Sequence, residues 1–506
     1  MHSENHLAAL LARAAAEAPE ALFLEDAATG ARLTHGALWH GAERMAAALR
    51  RAGIRPGDRV AVQAEKSVAM LELYLGTLLA GGVFLPLNPA YTPAEVGYFL
   101  GDATPGVFVS DPARETGLAP VARKAGVAWL MTLGADGQGS LAQARDTEAP
   151  GFAAVPRGPE DLAAILYTSG TTGRSKGAML SHRALGSNSL TLRDYWRFTA
   201  RDVLIHALPI YHTHGLFVAT NITLMAGGAC LFFPKFDAAG IIAAMPRATA
   251  LMGVPTFYTR LLAQPGLTEA ARGMRLFISG SAPLLAETHR AWTAATGHHI
   301  LERYGMTETN MNTSNPYDGE RRAGTVGFPL PGVELKVCDG DGAELPVGEI
   351  GTLEVRGPNL FSGYWQMPEK TAEEMRPDGF FITGDLGVID RDGYVTIVGR
   401  GKDLIISGGL NIYPKEVEES IDALPGVLES AVIGVPHPDL GEAVVAVVVP
   451  EPGAELSGDD IQAALTGSLA RFKQPKRVFF AAELPRNSMG KVQKNVLRDA
   501  YSKTFS

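Results

Sequence analysis

Cysteine is nearly missing from this chain: its 506 residues contain only Cys230 and Cys338. The two stand far apart with no metal-ligand spacing. That excludes a cysteine-built zinc site and a disulfide framework, and fits a reducing cytosol. A surplus of positive charge is missing too. Lys plus Arg number 45 against 54 Asp plus Glu, a net charge of −9. Nothing is left over to neutralise a nucleic-acid backbone, so no nucleic-acid partner is expected. Long apolar runs are also lacking, none approaching the ~20 residues that cross a bilayer. "VVAVVV" (Val444 to Val449) reads as a short buried strand. The alanine-rich stretch from Leu7 to Ala16 is preceded by Glu4 and followed by Glu17 and Glu20. It lacks a signal-peptide charge pattern and reads as an amphipathic first helix, so a cytoplasmic chain with no membrane partner is expected.

What the chain does have is length and alternation. At 506 residues it is too long for one ordinary core. Short runs rich in Val, Ile and Phe, such as "RVAVQA", "GVFVSD", "AAILYTS", "ACLFFP" and "MRLFISG", recur between helical patterns. They predict an α/β fold with mostly parallel sheets. After Pro331 the texture changes to period-two strands with Asp-Gly turns ("VELKVCDGDG", "EIGTLEVRGP", "GYVTIVGR"). From Lys402 onward a compact α/β piece follows. The expected organisation is a large domain over 1–399 with a β-rich subdomain at 331–399, a hinge at 400–403, and a small C-terminal α/β domain over 404–506.

The most unusual stretch is "ILYTSGTTGRSKGAMLSH" (Ile165 to His182). Seven of the nine residues from Thr168 to Lys176 are Thr, Ser or Gly. Such a run offers backbone N–H groups and hydroxyls at close range, which suits a phosphate chain. A Walker loop needs a different spacing, with Ser or Thr directly after the lysine, whereas Gly177 follows Lys176.

"YTSGTTGRSKG" resembles the signature of the adenylate-forming superfamily: acyl-CoA synthetases, luciferases and peptide-synthetase adenylation domains. Ser175 stands where the family usually has proline. Four further motifs follow in family order: "YGMTET" (Tyr304 to Thr309), "TGDLG" (Thr383 to Gly387), "GRGKDLIISGGLNIYPKEVE" (Gly399 to Glu418) and "LPRNSMGKVQK" (Leu484 to Lys494). The resemblance implies ATP, Mg²⁺ and coenzyme A as reactants and cofactor, with an acyl-adenylate intermediate. It implies a nucleotide site of Thr168, Ser169, Gly170, Thr171, Thr172, Gly173, Lys176, Ser281 and Ala282. Glu302, Arg303, Tyr304, Gly305, Met306, Thr307, Asp385, Arg400 and Lys491 complete that site. Thr168 and Glu308 would hold Mg²⁺, Tyr304 would stack on adenine, and Asp385 would take the ribose hydroxyls. Lys402 would be the pivot, and Lys491, Lys176 and His212 the catalytic groups. Attack of a carboxylate on the α-phosphate brings two anions together, so cations at the site of charge development suit the chemistry. By the same resemblance, Lys491 is a target for a lysine-acetylating enzyme, which would remove its charge.

The acid is read from three segments. "LPIYHTHGLF" (Leu208 to Phe217) puts His212 and His214 where a fatty-acyl enzyme would favour apolar residues. "GVPTFYTRLL" (Gly253 to Leu262) places Arg260 in an apolar helical pattern, expected to meet a second carboxylate in the acid pocket. "FISGSAPLL" (Phe277 to Leu285) adds the small hydroxyls Ser279 and Ser281. Together with the 304–327 segment these are similar to the malonate-activating branch of the superfamily. The implied substrate is malonate, with methylmalonate as a second, since one methyl alters binding by only ~1–3 kcal/mol. Another short-chain or monocarboxylic acid is the alternative. For coenzyme A, the glycine-rich Ser407, Gly408 and Gly409 are expected to line the thiol channel. "RFKQPKR" (Arg471 to Arg477), with Arg471 and Lys473, is expected to meet its phosphates.

Overall fold

Strands that are apolar on both faces dominate the first 330 residues, and they assemble into two sheets. The computed structural model describes residues 5–168, 175–408, 410–466, 469–487 and 490–505. Val83–Pro86, Val107–Ser110, Ala250–Gly253 and Leu276–Ser279 are buried at every position, the signature of parallel strands covered by helices on both sides. One sheet runs Trp129–Thr132, Val107–Ser110, Arg59–Gln63, Val83–Pro86, Leu162–Thr168, Lys176–Ser181, parallel except for the last pair. The other has a parallel centre of Leu22–Asp26, Ala229–Phe232, Val203–His206, Ala250–Gly253, Leu276–Ser279 and Leu301–Met306. Antiparallel strands flank it: Arg32–Thr34 at one edge, Asn310–Ser314 and Phe328–Pro329 at the other.

Residues of both sheets and of the helices His35–Arg51 and Val68–Leu79 share a single core. The second of these helices is buried at eleven of its twelve positions, as an element enclosed by neighbours must be. The amphipathic helix expected near the start is His6–Glu17. Among the described residues, no helix is long and apolar enough to cross a membrane. Both cysteines are free and buried.

After residue 331 the antiparallel order is Glu334–Cys338, Gly351–Arg356, Phe381–Ile389, Val395–Arg400. Its small core is built on Val337, Leu353 and Val395. The C-terminal sheet is centred on the paired strands Val427–His437 and Gly441–Pro450. Alternate residues of the second strand feed two separate cores: Val444, Ala446 and Val448 face Val417 and Ile461, while Val445, Val447 and Val449 face Leu484 and Leu497. The period of two along a strand divides an all-apolar run between two layers of cover.

Candidate active site

Three parallel strands, Ala250–Gly253, Leu276–Ser279 and Leu301–Met306, end on the same edge. Crevices beyond the carboxyl ends of such strands are where open α/β sheets bind ligands.

On the phosphate side, Thr168 closes one strand and Lys176 opens the next, paired in register, with the Thr168 hydroxyl donating to the Lys176 carbonyl at 3.4 Å. The motif therefore begins and ends on two paired antiparallel strands. Its residues Ser169, Gly170, Thr171, Thr172 and Gly173 lie outside the described residues. The Tyr98 hydroxyl donates to the Ser175 carbonyl at 2.7 Å, tethering the loop end that lacks proline. The Lys176 ammonium pairs with Glu374 at 3.0 Å and sits 4.0 Å over the Tyr364 ring. The Tyr364 hydroxyl lies 3.0 Å from Glu308 Oε1 and 2.6 Å from Glu374 Oε2, and its single proton serves one at a time.

Glu308 is 5% exposed. Burial raises its carboxyl pKa, opposed by its own backbone N–H, by Tyr364 and by the Lys176 and Arg400 charges. A tight hairpin presents it. A Cβ on Gly305 would come within 1.9 Å of the Asn310 carbonyl oxygen, so only glycine fits there. Asn310 takes a left-handed φ of 51°, which Asn tolerates better than most residues. Met306 and Thr307, between them, remain partly accessible. A buried carboxylate that shares the Tyr364 hydroxyl with Glu374 and feels the Lys176 charge offers the hard oxygens that suit a divalent ion carried on phosphates.

Beside this cluster, Asp385 and Arg400 are cross-strand partners joined by a 2.7 Å ion pair. Asp385 also accepts from the Tyr304 hydroxyl. Burial and the Asp385 charge push the Tyr304 phenol well above its ordinary value. Although burial opposes it, Asp385, Tyr304, Glu308 and Asp403 hold the Arg400 pKa above the usual range. Lys402 is pushed down to about 8 by burial and by the Arg400, Lys491 and Arg498 charges, with Asp403 opposing. Lys491 arrives from the C-terminal domain. It keeps solvent contact at a crowded cleft, where surrounding protein and then Arg400 lower its pKa, Asp385 and Asp403 opposing. The adjacent Gly490 packs beside Thr256, whose Oγ1 would lie 3.4 Å from a Cβ there. Strand pairing brings Asp385 and Arg400 together, whereas Lys491 reaches them from the C-terminal domain.

The third part centres on the buried Arg303. This residue is 3% exposed, and among the described residues its Nε and Nη2 have no hydrogen-bond partner. Burial lowers its pKa to about 9, so it remains charged near neutrality. Burial, and then the Arg303 charge, depress His212 to about 4 and His214 well below the ordinary imidazole value. His214 is fully buried at the head of a π-helix, His214–Thr220. Its Nδ1 lies 3.2 Å from Ser281 Oγ, while its Nε2 has no partner among the described residues. Ser281 holds a left-handed φ of 71°, backbone strain of the kind that collects at binding sites. Ser279 is buried, its hydroxyl without a hydrogen-bond partner among the described residues, and Ala282 is partly accessible.

Two expectations need correction here. Arg260 does not lie buried in an apolar pocket: it is exposed on the helix Pro255–Leu262, its guanidinium 5.8 Å from the Phe236 ring centroid. It lies one turn after Thr256, and the desolvated cation is Arg303. Glu302 does not offer its carboxylate to a nucleotide. Oε1 is engaged by His289 Nδ1 at 3.0 Å and by the Gly324 N–H at 3.3 Å. Adjacent strand residues face opposite ways, so Glu302 and Arg303 cannot share a site.

For coenzyme A, Ser407 is buried and Gly408 takes a φ of 58°, its N–H donating to the Leu440 carbonyl at 2.8 Å. Gly409 lies outside the described residues. Arg471 is exposed, whereas Lys473 is ion-paired to Glu416. Tyr364, Glu374 and Gly280 are the site residues that sequence reasoning missed. Only Gly280 carried a local signal, as the residue between two small serines in "SGSA".

Residues 11–365 match the family described as AMP-binding enzyme, and residues 416–491 match its C-terminal domain. A malonate–CoA ligase of Arabidopsis thaliana is 36% identical over 479 residues, covering 88% of this chain and 78% of the relative. A sulfoacetate–CoA ligase of Cupriavidus necator is 36% identical over 492 residues, 96% of each. The crystal structure of ATP-bound MatB from Rhodopseudomonas palustris superimposes with a TM-score of 0.96 at 61% identity, covering 99% of this chain and all of that one. The apo form of the same protein gives 0.84 at the same identity. The chain belongs to the AMP-binding enzyme family and has the adenylate-forming fold, a large α/β domain with a β-rich subdomain and a smaller C-terminal domain.

Proposed function

We propose that this chain is an AMP-forming malonate–CoA ligase, converting malonate, ATP and CoA to malonyl-CoA, AMP and pyrophosphate through malonyl-adenylate. The observation that carries the choice of acid is the buried Arg303 guanidinium, two of whose nitrogens, Nε and Nη2, have no hydrogen-bond partner among the described residues. A buried unpaired charge is costly, and a carboxylate from the substrate would supply the missing counter-ion. Relatives named for malonate and for sulfoacetate, both dianions, support that reading. A monocarboxylate would leave Arg303 desolvated and alone.

In this reading Arg303 holds the distal carboxylate, and His212, His214, Ser279 and Ser281 surround the three-carbon chain. The reacting carboxylate then points at the α-phosphate. Both imidazoles are neutral, so they position the acid without competing with Arg303 for negative charge. Lys491 and Lys176 carry the ammonium groups that offset charge growing on the phosphates. Lys176 would exchange Glu374 for phosphate oxygens. Asp385 takes the ribose hydroxyls with Arg400 beside it. Thr168 and Glu308 would hold Mg²⁺, which neutralises the leaving pyrophosphate when bound. The Lys402 hinge and rotation of the segment beyond residue 403 would withdraw Lys491 and bring Ser407 and Gly408 to a thiol channel, with Arg471 at the CoA phosphates. Lysine acetylation of Lys491 would switch off the first step only, and the setting is cytoplasmic.

The test is pyrophosphate release with malonate, methylmalonate, sulfoacetate, acetate and butyrate, for the native chain and Arg303→Met. We expect malonate first, methylmalonate within reach, monocarboxylates poor, and Arg303→Met losing dianions by about 100-fold while monocarboxylates gain. Faster turnover of acetate or butyrate than malonate by the native chain would overturn the assignment. Sulfoacetate in first place would keep the dianion and change the acid.

A further inference from the structure

Lys491 has a long flexible stem, and catalysis asks that its ammonium be placed to within a fraction of an ångström. The stiffness has to come from its base. Around it the chain forms a narrow hairpin. Arg486 and Val492 are bridged antiparallel, and the Gln493 N–H donates to the Pro485 carbonyl at 2.8 Å. The Asn487 N–H donates to the Lys491 carbonyl, and the Lys491 N–H to Asn487 Oδ1, both at 2.9 Å. Gly490, at φ +74°, turns the tip and rests beside Thr256 in the opposing domain.

Arg486 ties this tip down. Its Nη1 donates to the Gly490 carbonyl at 2.6 Å, and its Nη2 is ion-paired to Glu429 on the central strand Val427–His437. Burial raises the Glu429 carboxyl pKa and the Arg486 charge lowers it, so each group is better off with the other. One planar guanidinium thus links the residue next to Lys491 to the long central strand pair of the C-terminal domain, a two-point fork that lysine or glutamine could not match.

We propose that Arg486 and Glu429 form a positioning pair for Lys491, holding the hairpin as a rigid arm in the adenylate-forming step. The inference rests on the reading of Lys491 given above. Neither residue touches the reactants, and the thioester-forming step, in which Lys491 is withdrawn, does not need them.

The experiment measures two half-reactions separately on the full-length enzyme: malonate-dependent ATP–pyrophosphate exchange, and CoA acylation from chemically prepared malonyl-AMP. Arg486→Gln should slow exchange about 10- to 100-fold, the loss of a charge-assisted hydrogen bond plus its ion pair. Glu429→Gln should slow it less, and Arg486→Lys should recover part of it. Acylation from malonyl-AMP should stay within about twofold, and KM for ATP should hardly move, since no binding group is lost. Undiminished exchange, or equal losses in both halves alongside a lowered melting temperature, would overturn the pair. Should Arg486→Gln fail to fold, Glu429→Gln decides by the same criteria. Lys491→Ala is the control. If it exchanges at the native rate, the reading of Lys491 falls; if it is slow while Arg486→Gln is not, only the pair falls.

Discussion

The guanidinium of Arg303 lies flat against the backbone of Gly280: a Cβ at Gly280 would stand 2.4 Å from Arg303 Cζ and 2.5 Å from its Nε. Gly280 follows the strand Leu276–Ser279, and its N–H reaches the Gly253 carbonyl at 3.3 Å. The absence of one methyl group therefore creates the slot in which the buried charge sits.

Gly280→Ala should evict the guanidinium from that slot without straining the backbone. Malonate turnover is expected to fall at least 10-fold, mainly through KM, while the melting temperature drops by only a few degrees. Steady-state kinetics beside thermal unfolding separates the two. An alanine enzyme with native malonate KM would remove Gly280 from the specificity account.

Glu308→Gln replaces a buried carboxylate by a neutral isostere. Burial already raises that carboxyl pKa, so the ligand-free protein should be no less stable. The Mg²⁺ concentration for half-maximal pyrophosphate release should rise about 10-fold or more, as a metal ligand is lost. A Mg²⁺ titration at saturating ATP reads this directly, and an unshifted curve would reassign the metal to other groups.

Lys491 works as an ammonium, and its pKa is lowered from 10.5 by desolvation from the surrounding protein and then by Arg400. The charged fraction therefore shrinks as pH rises through a value below 10.5. ATP–pyrophosphate exchange should show an alkaline decline that the thioester half-reaction lacks. In Lys491→Arg, which stays protonated, that decline should vanish even though exchange is slower. Identical alkaline limbs for the two lysine and arginine enzymes would assign the titration elsewhere.

Lys66 offers a stability test away from the reacting atoms. It is nine-tenths buried, with its Nζ 3.0 Å from His206 Nδ1, 2.8 Å from the His206 carbonyl and 4.2 Å over the Phe232 ring. Burial lowers its pKa from 10.5 to about 7, the nearby Cys230 opposing. Between those values the unfolded chain holds one more proton than the folded one, so this residue's contribution to stability improves as pH rises. The slope is up to about 1.4 kcal/mol per pH unit. Compared with Lys66→Met, the native chain should gain relative stability in urea unfolding between about pH 7.5 and 9.5. A difference that stays constant across that window would show that Lys66 does not titrate there.

How much of this was readable beforehand differs from element to element. "RVAVQA", "GVFVSD", "ACLFFP" and "MRLFISG" became parallel strands at 59–63, 107–110, 229–232 and 276–279. An apolar run bounded by turns has few other ways to bury both faces. Asp385, Arg400 and Lys491 could be singled out beforehand because each lies in a short contiguous motif. Arg260 misled because helical periodicity gives a face but not what that face meets, and here the side chain stays exposed.

The sequence by itself determined the layered α/β plan, the family and the inventory of charged groups, since these depend on local periodicity and on residues adjacent in the chain. Only the tertiary structure decided which arginine loses its water. Arg303 is distinguished from Arg260 by the Gly280 backbone against which it packs and by the two histidines that feel its charge, all from other parts of the chain. Desolvation is a property of what surrounds a charge from every side, and those surroundings are assembled only when distant segments fold together.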